Sequence, residues 1–145
     1  MSLLSALSVS ASGMAAQRTR AELLVENIAN SETTRTAEGG PYRRKDAVFS
    51  STPVASAFGS ELDSQLNNSM MGVQVAGISV DMREPERRYM PGHPDADKDG
   101  YVAMPRVSPA EDMVDLMGAS RSYQANVSAI SAVKDMIQKS IDLLR

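Results

Sequence analysis

Residues 108–144 read SPAEDMVDLMGASRSYQANVSAISAVKDMIQKSIDLL, and the fold turns on this stretch. Ser108 stands at an N-cap position, Pro109 at the first helical position and Glu111 at the third. A cap hydroxyl can take a free amide proton, and proline lacks the amide that the first turn leaves unused. Glu111, Asp112 and Asp115 lie near the positive dipole end, while Lys134, Lys139 and Arg145 lie toward the negative end. Met113, Leu116, Tyr123, Val127, Ile130, Ile137, Ile141 and Leu144 recur in alternating steps of three and four, broken at Ser120 and Lys134. A period of 3.5 residues keeps one narrow seam facing a partner helix. The pattern predicts a helix over 109–144, about 54 Å long at ~1.5 Å per residue.

The partner is at the other end of the chain. Leu4, Leu7, Ala11, Met14, Ala21, Val25 and Ile28 keep the same period, broken only by Arg18. This predicts a second helix over about 2–30, stopping where Asn27, Asn30 and Ser31 gather, since such side chains favour caps and turns. Residues 1–17 carry no charged side chain, and Ser or Ala fills most positions off the seam. A solvated helix face normally carries Lys and Glu, so small uncharged residues all round imply close contact on several sides. Gly13 and Gly118 fall off both seams, and each costs about 1 kcal/mol relative to Ala in a helix. Close approach of another backbone is one explanation, and simple tolerance of a weak residue in a long helix is the other.

Between the helices the texture changes. Tyr42 to Phe49 reads as a strand after the Gly39-Gly40-Pro41 turn, and the Ser-, Asn- and Gln-rich stretch from Ser50 to Gly72 reads as a loop. Val73 and Val75 alternate in one phase, and Ile78, Val80 and Met82 in the other. A switch at Ala76-Gly77 is what a β-bulge produces. Pro85, Pro91, Pro94 and Pro105 exclude a long helix over 83–107. The fold class is therefore mainly α with a small β element. The N- and C-terminal helices pair as an antiparallel coiled coil around a β/loop middle, dividing the chain into 1–30, 31–108 and 109–145.

Composition narrows the function. The 145 residues carry a net charge of −3, with 4% aromatic residues and no Trp. No basic field supports nucleic-acid binding. Absence of Cys removes disulfides, thiolate metal sites and a Cys nucleophile. The apolar start lacks the basic residues of a cleaved signal, and no run reaches the ~20 apolar residues that span a bilayer. A membrane-surface helix would carry Lys or Arg on its polar face, and Leu3 to Gln17 has neither.

Three polar clusters invite chemistry. Asp95, Asp97, Asp99 and Gly100 open like a calcium loop, but its twelfth position, which needs a bidentate Glu, is Arg106. A polar turn stabilised by Asp side chains is the better reading. His93 is the one histidine, with no recognisable nucleophile or ligand set beside it. Arg43-Arg44-Lys45 suits a solvated strand end or a salt bridge between subunits. No catalytic, cofactor or metal residue is assigned, and the chain reads as a non-enzyme. A free-standing helical binding adaptor or a calcium-responsive module is the alternative.

Several segments resemble a known family. Ser12-Gly13-Met14, Gln17-Arg18 and Asn27-Ile28-Ala29-Asn30 with Thr33 are similar to the signature of bacterial flagellar axial proteins. Gly40-Pro41-Tyr42-Arg43-Arg44-Lys45, the stretch from Pro91 to Asp97 with Gly100-Tyr101-Val102, and the two runs 113–117 and 119–127 narrow the resemblance to proximal rod members. Pro105-Arg106 departs from it, since the family usually has Asn after that proline. The resemblance implies a structural subunit of the basal-body rod, exported without a cleaved signal through the flagellar type III apparatus into the periplasmic space. It also implies helical polymerisation into a shaft that transmits torque from motor to hook. The partners implied are other copies of the chain, other flagellar rod proteins and the export apparatus, without nucleic acid or direct membrane insertion. Subunit packing is expected to use Leu4, Leu7, Ala11, Gly13, Met14, Val25, Ile28, Leu116, Gly118, Tyr123, Val127, Ile130, Ile137, Ile141 and Leu144.

Overall fold

A computed structural model describes residues 3–53 and 71–143. Helix α1 spans Leu3–Ala29 and helix α2 spans Pro109–Asp142, with strands β1 (Lys45–Pro53), β2 (Met71–Val80), β3 (Glu86–Tyr89) and β4 (Tyr101–Met104) between them. The helices lie antiparallel. Gly13 faces Asn126 and Arg20 reaches Asp115 at 3.6 Å, so positions rising along α1 meet positions falling along α2. The mainly α architecture with a small β middle is the one the two repeats predict.

The seam of the pair is not the predicted one. Buried Asp112, Ala119 and Val133, with half-buried Leu116, Asn126, Ile130 and Ile137, face inward on α2. This seam keeps Leu116, Ile130 and Ile137, and moves the other half of the repeat back by one residue. The shift removes both breaks, since Ala119 and Val133 replace Ser120 and Lys134. On α1 the inward residues are Gly13, Ala16, Leu23, Leu24 and Asn27, while Leu4 is 71% and Val25 52% exposed. Small and polar side chains occupy the interface because they let two helices approach closely on a face that the β hairpin also shares. One half of the expected α2 repeat turns inward, and the other half, Met113, Tyr123, Val127 and Ile141, is exposed.

Among the described residues, two antiparallel strand pairs form the middle. β1 pairs with β2 from Lys45↔Val80 to Pro53↔Met71, and the register shifts between Val48 and Phe49. Val48 faces Gly77 and Phe49 faces Val75, which leaves Ala76 as the bulged residue, at the predicted phase switch. The first strand begins at Lys45 rather than Tyr42 and continues to Pro53. Ser50 to Pro53 and Met71 to Gly72 are thus ladder, not loop, because backbone pairing carries this polar stretch where apolar alternation fails. The rest of the expected loop lies outside the described residues. β3 pairs with β4, and Gly100 (φ +78°) closes their connection, where a Cβ would meet the Tyr89 ring at 2.9 Å.

Helix α2 starts as expected, with Ser108 at the N-cap and Pro109 next. The hydroxyl makes no capping bond, however. The Ser108 carbonyl instead accepts the Asp112 amide at 3.0 Å, the first bond of the helix.

Candidate assembly interface

A polar junction fixes the end of α1 to the start of the β middle. Asn27 is wholly buried. Its Nδ2 donates to the Lys45 carbonyl at 2.9 Å, and its Oδ1 accepts from the Lys45 amide at 3.0 Å and from the Tyr42 hydroxyl at 2.9 Å. One amide side chain therefore satisfies both backbone groups of the residue that opens β1. Lys45 Nζ reaches Glu26 at 2.6 Å beside the Tyr42 ring. Burial, reinforced by the negative charges of Glu26 and Asp112, pushes the Tyr42 hydroxyl up to about 12. One turn on, Asn30 donates to the Glu26 carbonyl and accepts from Thr33, whose carbonyl takes the Tyr42 amide.

The same junction holds the start of α2. Arg44 Nη2 lies 2.9 Å from Asp112 Oδ1, 3.3 Å separates Arg44 Nε from Asp46, and Asp115 stands at 4.0 Å. Asp112 is completely buried, yet neither of its oxygens receives a hydrogen bond of good geometry. Burial raises its pKa, the Arg44 charge offsets part of this, and the acids Asp46, Asp115 and Glu111 add to the rise. A buried carboxylate without aligned donors is expensive, so its retention here marks a positioning contact more than a stabilising one.

Above this junction the outer faces of the helix pair carry several large apolar side chains. Met113, Val114, Met117, Tyr123, Val127 and Ile141 are exposed along α2, as are Leu3, Leu4 and Val25 along α1. Of the residues expected to pack subunits, Leu4, Ala11, Val25, Gly118, Tyr123, Val127 and Ile141 lie exposed, and Leu7, Met14, Ile28, Leu116, Ile130 and Ile137 lie half-buried. Leu144 lies outside the described residues. A Cβ at Gly118 would meet nothing within 4 Å, so that face of α2 is open. Gly13 corrects the expectation: its Cβ would meet Asn126 Nδ2 at 3.1 Å, so it faces the chain's own second helix, and a side chain rather than a backbone approaches it. Ser12 is also engaged internally, accepting the Val73 amide at 3.1 Å.

The other polar clusters serve turns. Asp95 accepts from the Thr34 hydroxyl at 2.8 Å and stands 3.7 Å from Arg35, linking the β3–β4 turn to the segment after α1. His93 Nδ1 accepts the Asp95 amide at 3.1 Å. Among the described residues, no group of three or more His, Asp or Glu could hold a metal ion. No described helix is long and apolar enough to cross a membrane.

The junction is made from the segments that carry the resemblance, and comparison with known proteins agrees. A family model described as "Flagellar basal body rod FlgEFG protein C-terminal" matches residues 98–143. The chain is 39% identical to the flagellar basal-body rod protein FlgC of Borreliella burgdorferi, over 100% of this chain and 99% of the relative. It is 40% identical to FlgC of Bacillus subtilis, over 99% of each chain. With FlgC of Salmonella typhimurium the identity is 37%, over 99% of this chain and 98% of the relative. The chain belongs to the FlgC family of flagellar basal-body rod proteins.

Within this FlgC-family fold, the residues that periodicity missed are Asn27, Tyr42, Arg44, Asp112 and Asn126. Each is polar, amphipathic or charged at a position turned into the molecule. A pattern search that rewards large apolar side chains passes over them. The usable signal was the concentration of Asn at the end of the first helix and of Arg and Lys before the first strand.

Proposed function

We propose that the chain is a structural subunit of the proximal rod, polymerising helically into the drive shaft that carries torque from motor to hook across the periplasmic space. One observation carries this reading. Part of the regular apolar repeat of each long helix lies on faces that the chain itself leaves uncovered, with Leu4, Val25, Tyr123, Val127 and Ile141 exposed. Large apolar side chains exposed on both helices of a folded chain suit neighbours packed against them. Full-length similarity to basal-body rod proteins supports the same conclusion.

On this reading residues 1–30 and 109–145 are the assembly helices and 31–108 packs outside them. Subunit packing falls on Leu4, Leu7, Ala11, Met14, Val25, Ile28, Leu116, Gly118, Tyr123, Val127, Ile130, Ile137, Ile141 and Leu144. Gly13 is left out because it faces within the chain. Partners are further copies, other rod proteins and the flagellar export apparatus, which passes the chain without a cleaved signal. The role is mechanical, with no catalytic step. An in-frame deletion followed by imaging of isolated basal bodies tests it. Rods are expected to be missing and motility lost; normal rods would overturn the assignment.

A further inference from the structure

The fold gathers four arginines that the sequence scatters. Arg43, Arg44, Arg83 and Arg106 line one niche below Pro41 and Pro85, with Asp81 as its acidic member. Two of the four are satisfied. Arg83 grips the Asp81 carboxylate with contacts of 2.6 and 2.9 Å, which holds that carboxyl well below the usual range. Arg44 serves Asp112 and Asp46. The other two have spare donors. Arg43 donates to the Met82 thioether at 3.3 Å, a weak acceptor. Arg106 has no ion pair within 4.0 Å among the described residues, and its charge acts on an Asp81 that Arg83 already holds. The niche thus keeps two guanidinium groups in surplus.

The niche is half-open, and its ≈ 10 Å³ of room for a water-sized group is about one oxygen atom's site. A planar carboxylate can place one oxygen there and turn the other to a guanidinium at the rim, the paired geometry that arginine favours. The chain as a whole carries a net charge of −3, so its surface away from this cationic spot is predominantly acidic. A second copy therefore brings excess carboxylate. Asp135 and Asp142 are exposed, form no ion pair among the described residues, and lie one heptad apart on one face of α2. They sit at the end of the helix pair away from the niche, so a copy can offer them while its own niche stays open. Such a head-to-tail contact is heterologous and builds a ring or a helical filament, not a two-fold dimer.

We propose that this arginine niche is a carboxylate receptor that takes an acidic side chain from a second copy of the chain. The inference rests on the rod reading for the presence of that copy, and on the four arginines for the site.

The full chain has no Cys, so Glu84→Cys places a single attachment point between Arg83 and Pro85 at the niche rim. The purified variant, labelled there with a benzophenone and mixed as light and heavy isotope forms, is irradiated at high concentration. Mass spectrometry then separates links between chains from links within one. Expected are links between chains, to a segment bearing Asp or Glu, falling about tenfold on Arg43→Ala with Arg106→Ala. They should fall similarly at about 1 M salt, where screening acts within ~3 Å. The salt arm keeps the arginines in place and so does not depend on the variants folding. Links only within one chain, or links between chains that ignore both salt and the arginines, overturn the proposal. Capture of a different rod protein in preference to a second copy, when both are supplied, also overturns it. Basal-body imaging of the deletion strain judges the rod reading separately, so a failed niche and a failed rod assignment give different results.

Discussion

Tyr42 donates its hydroxyl hydrogen to Asn27 Oδ1 at 2.9 Å, joining the last turn of α1 to the segment that leads into β1. The bond matters because the same oxygen takes the Lys45 amide, and the Asn27 amide group takes the Lys45 carbonyl. Removing one side chain would leave a buried hydroxyl and a part-buried N–H and C=O without their partners.

Asn27→Ala is therefore expected to cost about 2–4 kcal/mol, well above the ~1 kcal/mol of one ordinary hydrogen bond, because buried groups lose their partners. Tyr42→Phe removes one donor and leaves the Lys45 groups paired, so its cost should be nearer 1 kcal/mol. Urea unfolding of the purified chains measures both. Equal effects would contradict the ordering.

Alkaline pH should loosen this junction. The Tyr42 hydroxyl is raised from an ordinary value of 10.0 to about 12 in the fold, so the unfolded chain ionises first. The stabilising contribution is fully present below pH ~10 and is lost as pH rises through about 12, by roughly 2–3 kcal/mol in all. Unfolding midpoints recorded over that window should fall steeply in the native chain and less so in Tyr42→Phe. Parallel curves would count against the burial of this hydroxyl.

Arg44 and Asp112 should respond unequally to substitution. Arg44→Ala leaves a fully buried carboxylate without its cation and is expected to cost about 3–5 kcal/mol. Asp112→Asn removes the buried charge while Arg44 keeps Asp46 at 3.3 Å, so it should be neutral or slightly stabilising at neutral pH. The carboxyl's pKa is raised, so its stabilising share is present below its ordinary value of 3.8 and is lost as pH rises through the folded value. Thermal unfolding at neutral and acid pH should show the advantage of Asp112→Asn shrinking as pH falls.

The two off-seam glycines are expected to separate folding from assembly. Gly13→Leu drives a side chain against Asn126 and should destabilise the free chain by about 1–3 kcal/mol. Gly118→Ala meets open space and should stabilise the free helix by up to about 1 kcal/mol. Gly118→Leu should leave the free chain folded yet block rod formation. Normal rods with that substitution would remove the case for close packing at Gly118.

These contrasts explain what could be read from the residues and what could not. The start of α2 was legible because Ser108, Pro109 and the early acids are local signals, and the bulge at Ala76 because strand side chains alternate strictly. The seam was half misplaced for a physical reason: periodicity reports an apolar face, not which residues of the chain cover it. Leu4, Val25, Val127 and Ile141 form a regular repeat and are exposed in the single chain. The intramolecular contact uses Gly13, Ala16, Ala119 and Asn126, whose small or polar side chains give little periodic signal. Lys45 to Pro53 was only half legible because its outer part is held by backbone pairing with β2. The junction residues needed long-range geometry, since Asn27 finds Lys45 eighteen positions away.

The central claim is that the outer faces of the helix pair are completed by neighbouring subunits. Amide hydrogen exchange over residues 3–11, ahead of the Ser12–Val73 and Gly13–Asn126 contacts, compared between the purified chain and isolated rods, tests it most directly. These amides are predicted to exchange rapidly in the free chain and to become strongly protected in the rod. Strong protection already present in the free chain, unchanged in the rod, would contradict the account.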